Sequence, residues 1–144
     1  MIALIGCSKK KNLFSSRAKN LYSSFLFRKT KGLVEANPLI KDWFILSAKY
    51  GLLNKEEIIE PYDLSLASFS QQQLKQWSIK IYEKIVEKKL DNLYFYCGSK
   101  YHNKYLIELL EKNNIQYNLP FKGLSLGKRV QFLSQSKTGG LNLK

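Results

Sequence analysis

One histidine and two cysteines are all that this chain offers to a soft or borderline metal ion. That is too few for a four-cysteine or histidine-rich zinc site, and too few for a disulfide framework. No apolar run approaches the roughly 18 residues of a membrane-spanning helix. Neither GxGxxG nor a Walker-type glycine loop occurs, so dinucleotide and nucleoside-triphosphate sites lack their sequence signatures. Acid is scarce too: 11 Asp+Glu stand against 24 Lys+Arg, a formal net charge of +13. Residues 1–31 and 112–144 hold no acid, whereas Glu56, Glu57, Glu60 and Asp63 crowd together. These absences predict a protein without metal or cofactor and without a membrane partner. No secretory leader pattern opens the chain, and Ile2-Ala3-Leu4-Ile5 reads as a buried strand, so a cytoplasmic location is expected.

What is present is enough for a core. Hydrophobic residues make up 44% and aromatics 13% of 144 residues, which fits one domain and excludes general disorder. We expect a single α/β domain over residues 1–137, with 138–144 a frayed tail starting at Thr138-Gly139-Gly140. The basic excess has two readings. A cationic face with an acidic island suits a nucleic-acid or nucleotide partner. Alternatively, 21 Lys against three Arg is the composition of an AT-rich genome, and Arg is the better phosphate fork. The oligomeric state is not legible.

The hydrophobic pattern alternates strand and helix. Short apolar runs at Ile2–Ile5, Trp43–Leu46 and Leu93–Cys97 predict buried strands, with a weaker edge strand at Ile115–Leu119. Helical spacing predicts helices over Asn20–Ala36, from the Ser70 cap onward, over Tyr101–Lys112 and over Gly123–Ser134. Ser47–Ser68 carries no long periodic run and reads as a functional loop. The expected architecture is a three-layer α/β sandwich around a mainly parallel sheet of about four strands, in the order 2-1-3-4. Ligands of such sheets bind beyond the carboxyl ends of the strands, where strand order reverses.

Three predicted strand ends look alike. They read Gly6-Cys7-Ser8-Lys9, then Ser47-Ala48-Lys49-Tyr50-Gly51, then Cys97-Gly98-Ser99-Lys100-Tyr101. Glycine admits a ligand close to backbone N–H groups, serine donates hydrogen bonds and lysine supplies charge. Together they predict an anion site built from Ser8, Lys9, Ser47, Lys49, Tyr50, Gly51, Gly98, Ser99 and Tyr101; glycine and serine are also ordinary turn residues. Lys10, Lys11, Arg28, Lys128 and Arg129 are candidate nucleic-acid contacts or plain solvated faces. Cys7 is either a strand-end nucleophile or a small buried residue. In Glu60-Pro61-Tyr62-Asp63, proline stiffens a turn, Tyr62 offers a ring for stacking and Asp63 is a candidate general base or a turn cap.

Leu46-Ser-Ala-Lys-Tyr-Gly-Leu-Leu53, followed by Glu60-Pro-Tyr-Asp-Leu64, resembles the central signature of the peroxide-stress YaaA-like superfamily. Ile5-Gly-Cys-Ser-Lys-Lys10 resembles a cysteine version of its opening, and Tyr22-Ser-Ser-x-Leu-Phe-Arg28 resembles a small-domain branch of unknown function. The resemblance implies DNA binding and protection of DNA from oxidative damage. It also implies an architecture similar to uracil-DNA-glycosylase-like sheets. By that analogy Asp63 would orient water, Tyr62 would stack a base, and Ser8, Lys9, Ser47, Lys49 and Ser99 would line the pocket. The chain has about half the length of the long YaaA form. The function expected is therefore an enzyme acting on a nucleobase or its N-glycosidic bond, in DNA protection or phage defence. A non-catalytic DNA-binding stress or defence protein is the alternative, and a small-nucleotide hydrolase or sensor a further one.

Overall fold

The computed structural model describes residues 1–135; the expected tail at 138–144 lies outside the described residues. A five-stranded sheet forms the centre, from β1 (Ile2–Gly6), β3 (Asp42–Ser47), β4 (Gly51–Asn54), β6 (Leu93–Tyr96) and β7 (Tyr117–Asn118). Its order is β4-β3-β1-β6-β7. A separate two-stranded ribbon joins β2 (Ser16–Arg17) to β5 (Ile58–Ile59). The helices are α1 (Ala18–Leu21), α2 (Phe25–Ala36), α3 (Gln71–Glu87), α4 (Lys104–Lys112) and α5 (Leu126–Gln135).

The four strands expected from the sequence lie side by side as β3-β1-β6-β7, all parallel. The fifth, β4, runs antiparallel to β3 and makes the sheet mixed, which corrects the mainly parallel, four-stranded expectation. Its only apolar residues are Leu52 and Leu53, a pair too short to show a period. The hairpin closes because Gly51 takes φ +72°, the left-handed region that a side chain disfavours. Leu52 then packs on one face of the sheet and Leu53 on the other.

Strand alternation builds two cores. Leu4, Phe44 and Phe95 are register neighbours and point to one face, under α3 and α4. Ile5, Ile45 and Tyr96 are register neighbours on the other, under α1, α2 and α5. Helices therefore cover both faces. The expected long helix over Asn20–Ala36 is broken: α1 ends at Leu21, and Ser24 caps α2 by accepting the Phe27 N–H. Between them Tyr22 bridges to Lys11 and is buried. In α3 the Ser70–Gln73 capping box forms, and Leu74, Trp77, Ile81 and Ile85 are buried. Val86, expected on that stripe, is exposed, because it follows Ile85 by about 100° around the helix.

Candidate functional site

The chain leaves β1 toward β3 under one face and leaves β4 toward β6 over the other. Strand order therefore reverses between β1 and β6, and a crevice opens at their carboxyl ends. Cys7 N–H still bonds the Leu46 carbonyl at 2.9 Å, so the tips of β1 and β3 remain zipped. Between β1 and β6 the backbones come closer than a side chain would allow. A Cβ on Gly6 would lie 2.9 Å from the Cys97 Cβ. Beyond this point is a recess of about 90 Å³.

It is lined by Ile5, Gly6 and Tyr96, by Ser24, Phe27 and Thr30 from the cap and body of α2, and by Cys7, Ser8, Gly98, Tyr101 and Arg129. Five of the residues expected to bind substrate or anion, or to act as nucleophile, are thus brought together with Arg129: Cys7, Ser8, Gly98 and Tyr101 directly, and Lys9 as the next residue of the same loop. Among the lining residues Arg129 is the one charged group and none is acidic. Its guanidinium lies over Gly98, where a Cβ would sit 3.4 Å from one terminal nitrogen. Its Nε donates to the Leu124 carbonyl at 3.2 Å, and it has no ion pair among the described residues. Arg129 and Lys122 also lower the pKa of His102, after burial as the main cause.

Cys7 is half-buried and reduced. The Tyr101 hydroxyl donates to the Cys7 carbonyl at 2.9 Å, which leaves the thiol 3.2 Å away as the donor to Tyr101 Oη. No histidine or carboxylate is hydrogen-bonded to that sulfur among the described residues. The geometry therefore favours a positioned thiol over an activated nucleophile. Burial raises the pKa of the neighbouring Cys97.

The second strand end is organised differently. Ser47 is fully buried; its Oγ accepts the Tyr50 N–H at 3.0 Å and lies 2.7 Å from Tyr62 Oη. Tyr62 Oη is also 2.7 Å from Tyr22 Oη. Trp77 Nε1 holds the Ser47 carbonyl at 2.9 Å. Ser47 is thus a joint inside the fold and not an open ligand, which corrects its expected role. Tyr62 is half-buried. Its ring makes T-shaped contacts with Tyr22 and Tyr50, and Lys11 Nζ sits 4.2 Å from its centroid, so packing holds the ring in place. Lys49, Tyr50 and Gly51 line a separate groove of about 660 Å³ against α3, together with Trp77, Lys80 and Lys84. The single recess expected from three strand ends is therefore two, because the β3–β4 hairpin turns its tip toward α3.

Asp63 is exposed at the rim, lines neither cavity, and couples electrostatically to Lys11. Partial burial lowers the pKa of Lys11, opposed by Cys7 and Asp63. Ser99, Lys10, Arg28 and Lys128 are exposed, with Ser99 outside the recess. Ser8 Oγ donates to the Lys10 carbonyl, and Lys11 Nζ to the Lys9 carbonyl, folding this basic loop on itself. The acidic island is partly spent on structure: Glu56 pairs with Arg17 and Lys19 beside the ribbon. No cluster of metal-ligand residues occurs among the described residues, nor any helix long and apolar enough to cross a membrane.

Burial pushes Tyr22 up to about 12, and it raises Tyr62, Tyr96 and Tyr101 as well. The folded protein holds these protons more tightly than the unfolded chain does. Their stabilisation is complete below the ordinary tyrosine pKa of ~10 and is lost as pH rises through the folded values. The melting temperature is therefore expected to hold up to about pH 9 and to fall steeply above ~10. The tyrosinate absorbance of these four residues should appear together with unfolding. A smooth ionisation of all nine tyrosines in the folded state would contradict the enclosed cluster.

The sequence pointed to neither Ser24, Thr30 nor Phe121 as lining residues. Ser24 carries a readable signal, since a serine three residues before Phe27 is a helix cap, but the longer helix expected there concealed it. No curated protein and no solved structure matches this chain. A family model covers residues 2–135, and the chain belongs to that family, a family of unknown function (DUF6884).

Proposed function

We propose that this domain binds nucleic acid, DNA before RNA, through the cationic end of its sheet. The observation that carries the reading is the composition of the β1–β6 recess. Both acid-free stretches of the sequence, 1–31 and 112–135, contribute to its lining, and among the described residues the arginine there has no ion pair. A half-buried guanidinium without a carboxylate is costly unless an anion meets it. Lys9, Lys10 and Lys128 extend that charge over the exposed rim, where backbone phosphates would lie. The resemblance of Leu46–Leu53 and Glu60–Leu64 to the YaaA-like signature supports the same partner and a cytoplasmic role in DNA protection or defence. The hydrogen-bonded Tyr62 and the thiol-donor geometry of Cys7 favour binding over chemistry.

A second reading, hydrolysis at a nucleobase or its N-glycosidic bond, keeps one observation in its favour. Asp63 stands free of hydrogen bonds among the described residues and close enough to Lys11 to feel its charge, open to water and to an extruded base. One experiment separates the two. Duplex DNA, plain and base-modified, is titrated with wild type and Asp63→Asn, and bound fraction and released base are both measured. Binding that weakens steeply with salt, unchanged in the variant and without base release, is the expected result. Base release by wild type that the variant loses would establish the enzyme. No salt-dependent binding would remove the nucleic-acid reading.

A further inference from the structure

Among the described residues, the two most exposed large hydrophobic side chains are neighbours in the chain. Leu13 is 86% exposed and Phe14 79%. Single apolar side chains scattered over a surface are ordinary, but two adjacent ones at the tip of a fixed turn form a patch. The turn is fixed on both sides. Before it, Asn12 donates its backbone N–H to the Leu21 carbonyl at 2.8 Å and its side-chain amide to the Asn20 carbonyl at 2.7 Å, and Lys11 bridges to Tyr22. After it, Ser16 and Arg17 pair with Ile59 and Ile58 in the ribbon. Residues 13–15 stand between these ladders, and all three are exposed. The fold thus presents the pair on a stapled tip, so little ordering entropy is lost when a partner meets it.

Charge and size select the partner. The tip lies in the acid-free stretch 1–31. Lys9 and Lys10 precede it in the same loop, exposed and without an ion pair among the described residues. Arg17 and Lys19 behind the tip are taken up by Glu56, so the free charge lies on the Lys9–Lys10 side. Two ammonium groups beside an apolar tip fit a partner whose anionic surface covers an apolar interior. A stable protein interface needs ~800 Å² from each side, more than two side chains supply. A bilayer anchor draws on a broad apolar face of the kind an amphipathic helix offers. A stacked base step asks for no more than one or two side chains. Leu and Phe are among the wedges that part neighbouring bases, while cations hold the phosphates on either side.

We propose that the Leu13–Phe14 tip is a wedge that enters a base step of duplex DNA, with Lys9 and Lys10 on the flanking phosphates. The inference rests on the nucleic-acid reading and adds how the duplex is deformed. Insertion unstacks one step and kinks the helix, so the domain reads sequence through deformability: flexible TA steps yield and stiff A-tracts resist. Such a preference needs no hydrogen bond to a base edge, and neither side chain has one to give.

The test uses the full-length protein and two duplexes of equal base composition. One carries a central TA step beside 2-aminopurine; the other has the same bases arranged as an A-tract. Wild type should raise the 2-aminopurine fluorescence on binding and prefer the TA duplex severalfold. Leu13→Ala/Phe14→Ala should keep the wild-type salt slope, lose roughly tenfold in affinity for the TA duplex, and lose both the fluorescence rise and the preference. Its melting temperature should hold, since both side chains face solvent. Val86→Ala, which trims an exposed apolar side chain on α3, should behave as wild type. In Phe14→Trp the wedge is kept, and the bases should quench the new indole against a constant background from buried Trp43 and Trp77. Salt-dependent binding with no fluorescence rise, or a rise that Leu13→Ala/Phe14→Ala retains, overturns the wedge and leaves the nucleic-acid reading standing. No duplex binding at any salt concentration overturns both. Binding to phosphatidylserine vesicles that needs Leu13 and Phe14, with duplex fluorescence flat, assigns the tip to a lipid surface and overturns the wedge as well.

Discussion

Replacing Lys9, Lys10 and Lys128 together with glutamine is expected to flatten the salt dependence of DNA binding by about three units of slope in a log–log plot. Each neutralised phosphate contributes roughly 0.9 to that slope through release of condensed counterions. At ~0.15 M salt the affinity should fall more than tenfold. All three side chains are exposed and none is in an ion pair among the described residues, so the variant should melt with wild type. Lys11 is left in place because its ammonium covers the Tyr62 ring. A parallel triple substitution of Lys80, Lys84 and Lys88 on α3 should change the slope much less. Lys84 is already paired with Glu87, and Glu83 stands beside Lys80 and Lys84 along the second groove. Equal losses from the two triples would show that charge alone, without location, governs binding.

The hydroxyl chain behind the rim carries the largest expected stability effect. Tyr62→Phe keeps the ring but removes the oxygen that joins Tyr22 to Ser47, both at 2.7 Å. Ser47 retains the Tyr50 N–H, whereas the Tyr22 hydroxyl loses its closest hydrogen-bond partner inside the core and keeps only the neighbouring Ser47 hydroxyl. A buried hydroxyl that loses a partner costs about 1–3 kcal/mol, so the melting temperature should fall by several degrees, roughly 4–12 °C. The double variant Tyr22→Phe/Tyr62→Phe should recover part of the loss, since both partners are then apolar. Calorimetry of the four proteins of that cycle gives the coupling directly. Additive losses would mean that the two hydroxyls do not interact. DNA affinity should be untouched throughout, because neither hydroxyl reaches the recess.

Much of this fold is legible in the residues. Continuous apolar runs at Ile2–Ile5, Trp43–Leu46 and Leu93–Tyr96 can be satisfied only between two helical layers, and they occupy the three central strands. The parallel strands take the expected order 2-1-3-4. Short elements were out of reach. The strand β4 rests on two leucines and a glycine, and the ribbon of β2 and β5 on two residues each, so neither has a period to read. For the site, strand ends were the right place to look, because parallel strands deliver Cys7 and Gly98 to one crevice. Ser47 and Tyr62 could not be told from ligand contacts in the sequence. Whether a hydroxyl faces a cavity or a neighbouring side chain is decided by tertiary packing, here by Tyr22 arriving from the junction between α1 and α2. The Tyr96 ring packs against Phe121, and its hydroxyl has no hydrogen-bond partner among the described residues.

The most direct test is a map of backbone amide shifts as a short duplex is titrated into isotopically labelled protein. The account requires the largest changes at Gly6, Cys7, Ser8, Gly98 and Tyr101 and along the loop from Lys9 to Phe14, with smaller ones at Lys128. Changes concentrated along α3 and the β3–β4 hairpin, with the β1 and β6 tips silent, would contradict it.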